Sequence, residues 1–439
     1  MSAGRYSLLG RTKVLPHLCI ALALATGVAA QAPPKYDLLL RGGHVIDAKN
    51  HLSAVRDIAV ASGKVAAIAE RIDPADALKT VDVSGLFVTP GLVDIHTHVY
   101  AGTGEKGSYA GDNSVYPDGF TFRSGVTTIA DAGSSGYVNF EDFKQRIIDR
   151  ANTRVLAFLN IVGHGMRGEK LEQDLSDMEA KPAADMARRY RGLIIGIKTA
   201  HYQGPEWTPV EHAVEAGTLA DVPVMVDFGA NKPERPIGEL LTKKLRPGDI
   251  YTHCFSGVRN ESDRPGHLNQ ALPDGRARGV IFDVGHGGGS FLWRVAVPAM
   301  KAGFLPDSIS TDLHISSMNA GMKDMLNVMS KFLALGMSLD DVVARSTWNP
   351  AREIRQETLG HLSIDAPADI AVLRVVSGQF GFVDINGARL SGTTKLVCEL
   401  TIRDGKIVYD LNGLASPEWT TLAADYGWTG DARWNRIRR

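Results

Sequence analysis

Polar side chains that can bind a metal ion or move a proton stand at the ends of a series of short apolar segments. Two of them are histidines, His96 and His98, which close the apolar run 91–95. Residues two apart on a strand face the same side, so both imidazoles are expected to point toward one site. Two neighbouring imidazoles favour a metal site of the zinc type, and the alternative is a pair of ordinary polar residues at a strand end.

Lys198 is unusual because it closes the apolar run 193–197, which is expected to be buried on both faces. Burial of a lone ammonium group is costly and lowers its pKa. The resulting neutral amine can react with carbon dioxide to give a carbamate, whose two oxygens can bridge two cations. A lysine that reaches solvent or forms a salt bridge is the alternative.

Further polar residues occupy equivalent positions along the chain. His253 ends the run 249–252, and Asp312 ends the run 308–311. Other candidates at or just beyond such ends are His164, His201, Asp227, Arg259 and His286. Each alone is a weak signal, because a polar residue at a strand end often caps a helix. Their order along the chain, together with the histidine pair and the lysine, is difficult to attribute to chance.

Eight apolar segments are predicted to be the strands that position these residues. They are 92–96, 127–131, 155–162, 193–198, 222–227, 249–253, 280–284 and 308–312. Amphipathic stretches alternate with them, which is typical of parallel strands covered by helices. Eight such units over roughly 260 residues predict a closed (β/α)8 TIM barrel with its site at the carboxyl ends of the strands. An open doubly wound sheet is the alternative, and the chain lacks the glycine-rich fingerprint of that fold.

Short alternating strands flank this central part at both ends of the chain. Neither flank, 36–88 or 360–411, is large enough to form a good core alone, so the two are predicted to share one composite β-sandwich domain. The barrel would then occupy residues 89–359, and residues 412–439 would be a C-terminal tail. The predicted fold class is therefore α/β, a TIM barrel inserted between the two halves of a small β domain.

The first 30 residues have the pattern of a secretory signal peptide. Three basic residues and no acid precede an apolar run at 18–25, and small residues follow at 28–30. The apolar run is shorter than the ~20 residues that span a bilayer. The prediction is a periplasmic or secreted protein with no membrane span after cleavage. An uncleaved anchor and a misassigned start codon are the alternatives.

The charge balance argues against a nucleic-acid partner. The 439 residues include 48 Lys+Arg and 49 Asp+Glu, a formal net charge of −1, which becomes −4 when the three basic residues of the signal segment are removed. A nucleic-acid binder would normally carry a basic stripe, so no nucleic-acid partner is expected. Three cysteines are too few for a disulfide scaffold of this size.

Several motifs together resemble the amidohydrolase superfamily of metal-dependent hydrolases. The segment 89–98, Thr-Pro-Gly-Leu-Val-Asp-Ile-His-Thr-His, resembles the opening of the barrel in that superfamily, and 124–128 is similar to the approach to its second strand. The segments 283–287 and 310–312 look most like the deacetylase branch, often grouped with dihydroorotases. The similarity covers about residues 36–411, and none of these motifs is specific for a substrate.

The resemblance implies one or two Zn²⁺ ions at the barrel mouth. The implied ligands are His96, His98, Lys198 as its carbamate, Asp227, His253 and Asp312. The carbamate would bridge a first ion, held with Asp312, to a second ion. The family pattern expects a histidine at the end of strand five, where this chain has Asp227. The aspartate would either replace the imidazole as an oxygen ligand or hydrogen-bond to a ligand, which leaves the second site open.

The implied reaction is hydrolysis of a carbon–nitrogen bond in a small-molecule amide. A metal-activated hydroxide would attack the carbonyl, and Asp312 would take its proton and deliver it to the leaving nitrogen. His286 would contact the substrate carbonyl or hydrogen-bond within its own loop. The predicted substrate-binding residues are His201, His164 and Arg259. His201 could instead orient the carbamate, and Arg259 would either receive a substrate carboxylate or form a surface salt bridge.

The leading prediction is an exported N-acyl amino acid deacetylase. A cyclic amidase of the dihydroorotase or hydantoinase type is the enzyme alternative, although export argues against pyrimidine synthesis. Lactone and phosphoester hydrolysis also stay open, because such barrels host many chemistries. The alternative of another class is a non-catalytic scaffold descended from the fold, which the retained ligands argue against. A homo-oligomer is left open.

Overall fold

The computed structural model describes residues 33–229 and 231–427. Its strands are β1 (Leu38–Asp47), β2 (Leu52–Ala61), β3 (Lys64–Ala69), β4 (Thr80–Asp82), β5 (Phe87–Pro90), β6 (Leu92–Thr97), β7 (Val126–Gly136), β8 (Arg154–Asn160), β9 (Ile194–Thr199), β10 (Val224–Val226), β11 (Ile250–Tyr251), β12 (Ser262–Arg264), β13 (His267–Leu268), β14 (Ile281–Phe282), β15 (Ile370–Val383), β16 (Arg389–Arg403) and β17 (Lys406–Asp410).

The α-helices are α1 (Asp118–Thr121), α2 (Phe140–Phe143), α3 (Glu169–Glu172), α4 (Ala180–Arg189), α5 (Thr208–Ala220), α6 (Ile237–Glu239), α7 (Ala271–Ala277), α8 (Trp293–Lys301), α9 (Ile315–Asn319), α10 (Met325–Ala334), α11 (Leu339–Ala344) and α12 (Trp348–Glu353). Short 3₁₀ segments lie at Pro74–Asp76, Phe122–Ser124, Leu175–Asp177 and Trp419–Thr421, and π-helical segments lie at Lys144–Ile148 and Leu240–Lys244.

Seven parallel strands form the sheet that carries the predicted site, in the order β6-β7-β8-β9-β10-β11-β14. The eighth predicted segment, 308–312, is not a regular strand. Single parallel bridges join Ser308 to Asp283 and Leu313 to Thr97, so the segment lies between the last strand and the first. Its backbone leaves the extended region at Asp312, where φ is 52°. The parallel sheet of the predicted barrel is therefore present, with isolated bridges at its eighth position.

The barrel strands are apolar on both faces because both faces are covered. Val93 and Ile95 of β6 belong to one buried cluster with residues of the neighbouring strands. Ile129 of β7 and Val155 of β8 belong to a second cluster that includes helix residues such as Ala213. Two-sided burial explains why these strands appear in the sequence as continuous apolar runs.

A register shift in β6 helps to set the direction of the two predicted histidines. Pairing with β7 moves from Asp94–Ile129 to Thr97–Asp131, so β6 contains one extra residue there. Regular alternation would place His96 on the same face as Asp94. A bulge changes the direction of a side chain near a functional site. The two imidazoles thus reach one site through a bulge and the chain beyond the strand, and not through regular alternation.

Strands from both ends of the chain share one sheet. Its order is β17-β16-β15-β5-β1-β2-β3, and β4 pairs with β1. Within this sheet, the antiparallel pairing of β5 with β15 joins the two flanks. One apolar cluster contains residues of both flanks, among them Leu40, Ile58, Ile370 and Leu400. Packing of this sheet as a β-sandwich, and the predicted domain boundaries, stay predictions.

The predicted signal peptide, residues 1–30, lies outside the described residues. Within the part of the chain that the structure describes, no helix has both the length and the apolar character needed to cross a membrane. In the predicted tail, the Trp419 side chain is 68% exposed. Trp428 and Trp434 lie outside the described residues.

Candidate metal centre

His96, His98 and Asp312 form a buried cluster of possible metal ligands. One ligand atom from each lies within 4.8 Å of the other two, and no further group of three does so within residues 33–229 and 231–427. His98 Nε2 lies 3.1 Å from Asp312 Oδ1, and His96 Nε2 lies 3.7 Å from the same oxygen. Ligands held about 2.0–2.2 Å from a tetrahedral zinc lie about 3.3–3.6 Å apart. The two distances fall close to that spacing.

One oxygen of the Asp312 carboxylate has no hydrogen-bond partner in the described part of the chain, and a bound cation would take that place. Its Oδ1 is buried and accepts no hydrogen bond from the described residues. Burial alone would raise the pKa of Asp312, but the imidazoles of His314, His96 and His98 hold it well below its ordinary value. An ionised, unpaired carboxylate oxygen is costly inside a protein. The donor set therefore fits a divalent cation.

The two histidines of the cluster are neutral at physiological pH. Burial lowers the pKa of His96 to about 4 and that of His98 to about 3. A metal ligand must offer a lone pair, which a neutral imidazole does and a protonated one does not. Burial thus prepares both rings for coordination.

Lys198 extends from β9 into the same cluster and is 1% exposed. Its Nζ lies 3.1 Å from His96 Nε2 and 3.7 Å from Met225 Sδ. Gly133 leaves room for it, because a Cβ at that position would lie 2.7 Å from Lys198 Cγ. Burial lowers the pKa of the Lys198 ammonium group. The lysine is therefore buried at the site, as its apolar surroundings in the sequence predict.

Asp227, His253 and His201 form a second group beside the first. Asp227 Oδ2 lies 3.4 Å from His253 Nε2 and 3.4 Å from His201 Nε2. The rings of His253 and His96 are 4.9 Å apart, so the two groups adjoin. The other carboxylate oxygen of Asp227 accepts a hydrogen bond from Arg259 Nη2 at 2.5 Å. The sequence predicts that Asp227 either ligates a metal through oxygen or hydrogen-bonds to a ligand. One of its oxygens faces two imidazoles and the other binds Arg259, so each expectation is met in part.

The Arg259 guanidinium group is buried with most of its donors unused. Its side chain is 8% exposed, and only Nη2 is paired, with Asp227. Nε and Nη1 are buried and have no hydrogen-bond partner among the described residues. Buried donors of a charged group are costly when unpaired, and the fork of a guanidinium matches a carboxylate. The arrangement suits an anion next to the cluster.

His201 reaches the site and His164 does not. His201 Nδ1 contacts Glu172 Oε2 at 2.5 Å, and its ring lines a cavity of about 470 Å³. His164 Nδ1 contacts Asp177 Oδ2 at 2.9 Å, and its side chain is half-exposed. The structure therefore brings one of these two predicted substrate residues to the cavity.

His286 is directed away from the cluster. Its Nδ1 donates to the Gly287 carbonyl oxygen at 2.9 Å, and its Nε2 accepts from Lys331 Nζ at 2.5 Å. The ring stacks on Phe291 with centroids 4.5 Å apart. With both nitrogens engaged, the ring offers none to a substrate. These bonds match the alternative in which His286 stabilises its own loop.

The backbone of that loop passes directly against the site. A Cβ at Gly285 would lie 2.3 Å from Thr252 Oγ1, and a Cβ at Gly287 would lie 2.4 Å from Asp312 Oδ2. Both glycines also have positive φ angles, of 44° and 57°. The glycines are therefore needed for close approach, which only a residue without a side chain permits.

Three site residues have left-handed backbone conformations. The φ angles are 59° for His201, 63° for His253 and 52° for Asp312. Such conformations cost about 1–3 kcal/mol each for residues other than glycine and are concentrated at functional sites. Each of the three ends an extended segment, so the left-handed turn is where the strand stops.

Tyr109 contacts the site although no sequence pattern points to it. Its ring centroid lies 4.6 Å from that of His98, 4.9 Å from that of His314 and 5.6 Å from that of His201. Burial raises the pKa of Tyr109, and nearby carboxylates, chiefly that of Asp312, raise it further. The phenol is therefore protonated at neutral pH. It lies in an irregular loop, where periodicity gives no signal.

Comparison with known proteins agrees with this geometry. No protein-family model matches the chain. It is 34% identical over 376 residues to a deacetylase of Agrobacterium fabrum, an alignment that covers 83% of this chain and 89% of the relative. The solved structure of an adenine deaminase superimposes with a TM-score of 0.77 at 27% identity and covers 86% of this chain and all of that one. A dihydroorotase structure gives a TM-score of 0.74 at 30% identity, with 85% and 99% covered.

The relatives, the parallel barrel sheet and the buried histidine–aspartate cluster agree on one assignment. The chain belongs to the amidohydrolase superfamily of metal-dependent hydrolases, in its deacetylase- and dihydroorotase-like branch, and is an enzyme of that class.

Proposed function

We propose that the protein is an exported zinc hydrolase that removes the acyl group from an N-acyl amino acid. The observation that carries the proposal is the unpaired Asp312 Oδ1, which faces the histidine pair beside the buried Lys198. Its surroundings suit a cation that polarises an amide carbonyl. A cyclic amidase is the second candidate, favoured by the similarity to a dihydroorotase structure.

His96, His98 and Asp312 would hold the first ion. Lys198, as a carbamate, would connect it to a second ion near His253 and Asp227. When bound, the ions lower the pKa of water and polarise the substrate carbonyl. The protein would orient the ligand atoms and transfer protons.

Hydrogen bonds fix the tautomers of two of these imidazoles. Thr252 donates its hydroxyl hydrogen to Asp283 Oδ2 at 2.7 Å, so its oxygen must accept from His96 Nδ1 at 2.9 Å. His253 Nδ1 donates to the Gly285 carbonyl oxygen at 2.5 Å. In both rings Nε2 keeps its lone pair and faces the cluster. Partners of this kind orient metal-binding histidines.

Asp312 would move the proton. Its Oδ2 lies 3.8 Å from His314 Nε2. His314 Nδ1 accepts from the amide of Ser317 at 3.2 Å, so the hydrogen of a neutral ring is on Nε2, the nitrogen nearer Asp312. The ionised carboxylate can accept a proton from the attacking water and pass it to the leaving nitrogen.

Arg259 supports a substrate with a carboxylate group. Its Nε and Nη1 are buried and unpaired, while Asp227 holds its third nitrogen. The α-carboxylate of an N-acyl amino acid would accept from one of these two donors, which lie on different sides of the guanidinium group. The cavity of about 470 Å³ that His201 lines is large enough for a small molecule of this kind, and His201 Nε2 lies 3.4 Å from Asp227 Oδ2.

Hydrolysis of a substrate panel by the zinc-loaded protein tests the proposed function. The panel contains N-acyl amino acids, hydantoins, dihydroorotate and lactones. We expect N-acyl amino acids to be cleaved in preference, with activity lost on chelation and regained with zinc. Turnover of cyclic amides alone would favour the second candidate. A purified protein that retains less than about half an equivalent of metal and cleaves nothing would contradict both.

Export is proposed from the signal-peptide pattern of residues 1–30. Expression of the full chain in a Gram-negative host, followed by mass spectrometry of the periplasmic fraction, tests it. We expect a mature chain that begins close to Gln31. An intact amino terminus in the cytoplasmic fraction would contradict export without affecting the proposed chemistry.

Replacement of Thr252 by valine should weaken metal binding. The change removes the acceptor for His96 Nδ1 and keeps the size of the side chain. We expect zinc affinity to fall by about 10–100-fold, measured by competition with a chromophoric chelator. Thr393→Val, at an exposed position of β16, is the control. Equal affinities in the two variants would show that Thr252 does not orient His96.

Asp312→Asn should remove most of the turnover even when zinc is bound. An amide cannot accept the proton, so we expect kcat to fall by about 10²–10⁴-fold. The zinc content of each sample is measured, because Asp312 is also a proposed ligand. Asp340→Asn, at an exposed position of α11, should keep full activity. Near-normal kcat in the zinc-loaded Asp312 variant would exclude the proton-transfer role.

Arg259→Lys should lower the preference for acidic substrates. Lysine keeps a positive charge beside Asp227 and loses the two free donors. We expect KM for the best N-acyl amino acid to rise by about 10–100-fold and KM for its carboxamide analogue to change little. Arg264→Lys, at an exposed position, is the control. An equal loss on both substrates would indicate a purely structural arginine.

A further inference from the structure

We propose that the Tyr109 hydroxyl group donates a hydrogen bond to the carbonyl oxygen of the substrate and stabilises the negative charge that develops there. The inference rests on the proposed function, because it presupposes an acyl group at the cluster. It assigns to a loop residue the contact that the sequence suggests for His286.

The position of the ring is the first observation. Its three histidine contacts come from different parts of the barrel mouth: His98 follows β6, His201 follows β9, and His314 follows the eighth segment. One of the three, His98, belongs to the metal-ligand cluster. A side chain that touches all three lies over the centre of the mouth, where the substrate must enter.

The hydroxyl group is free for a ligand. Tyr109 is half-buried, and its hydroxyl makes no hydrogen bond to any residue of the described part of the chain. Its side chain lines the cavity of about 470 Å³ together with Glu172 and His201. The phenol therefore lies at the boundary between the cluster and the space open to a substrate.

The loop holds Tyr109 on both sides. The Ala110 amide donates to the Met166 carbonyl oxygen at 3.0 Å, and the hydroxyl of Ser108 bonds to the same oxygen. The Asn113 amide donates to the Ser108 carbonyl oxygen at 3.0 Å. The hydroxyl of Ser114 donates to the carbonyl oxygen of Tyr109 itself. A donor held in place before the reaction is the arrangement that stabilises a developing charge most effectively.

The other donors around the described site already have partners or another expected role. Both nitrogens of His286 are engaged. The Nε2 hydrogen of His314 lies toward Asp312, and the free donors of Arg259 suit a carboxylate. Tyr109 is thus the donor left for the carbonyl oxygen. No covalent bond forms and no proton is transferred, because the phenol only donates a hydrogen bond.

Tyr109→Phe tests the assignment because it removes the hydroxyl group and keeps the ring that packs on the histidines. We expect kcat for the best substrate of the panel to fall by about 10²-fold, with KM within about threefold, since one such donor contributes about 10²–10³-fold in kcat. Zinc content and thermal unfolding should equal those of the wild type. Tyr116→Phe, an exposed tyrosine that follows in the same loop, should match the wild type.

Three results would overturn the inference: a change in kcat below about threefold, a rise confined to KM, or a loss that follows the loss of zinc. If the wild type cleaves nothing, the proposed function fails and a binding measurement judges Tyr109 separately. Its probe is N-(methylphosphonyl)glycine, which copies the tetrahedral addition geometry. Calorimetry should then show at least about 10-fold weaker binding to Tyr109→Phe than to the wild type. Equal affinity, or no binding to either protein, would overturn the inference.

Discussion

Buried charge at the carboxyl ends of the barrel strands is the constraint on which the rest of the site depends. The carboxylates of Asp312 and Asp227 and the side chains of Lys198 and Arg259 are buried within a small volume. Their mutual pairing is incomplete, because Asp312 Oδ1 and two nitrogens of Arg259 have no hydrogen-bond partner among the described residues. Unpaired buried charge of this kind costs several kcal/mol unless a ligand completes it. Asp312 Oδ1 lacks a donor and Arg259 lacks two acceptors, so the surroundings suit a cation at Asp312 and a hydrogen-bond acceptor at Arg259.

The surrounding fold keeps these groups in place by tying several strands to one acid. Asp283 accepts hydrogen bonds from Thr252, Ser308 and Ser310, which lie in the sixth and eighth barrel segments. Through Thr252 the same network reaches His96. Groups held by a hydrogen-bonded outer shell keep their orientation with little motion. The residues with left-handed backbone and the two closely packed glycines serve the same purpose. Each has a cost in backbone stability and keeps the atoms of the site in position.

Strands and site residues are predicted best where burial produces a recognisable run of apolar residues. The strand ending at Lys198 is predicted at 193–198 and observed at Ile194–Thr199, because a lysine after five apolar residues is a strong anomaly. The predicted segment 249–253 shrinks to Ile250–Tyr251 because side-chain bonds and a left-handed His253 replace regular pairing. The long hairpin of β15 and β16 is buried in only one half, and its outer half is largely exposed, so burial there gives no continuous apolar run. The position of Tyr109 at the site could not be predicted, because it lies in a loop whose path depends on tertiary contacts.

Asp227, at the end of the fifth strand, and the buried Arg259 form an ion pair, so the presence of each accounts for the other. The family pattern favours a histidine at this position, and a neutral imidazole could not hold a guanidinium group as a carboxylate does. With Asp227 present, one oxygen binds Arg259 and the other still faces His253 and His201. Under the proposed function, the exchange would turn a metal-ligand position into a link between the ligand cluster and a donor for a substrate anion. Under the proposed function, Asp227 would therefore couple metal binding to the charge of the substrate.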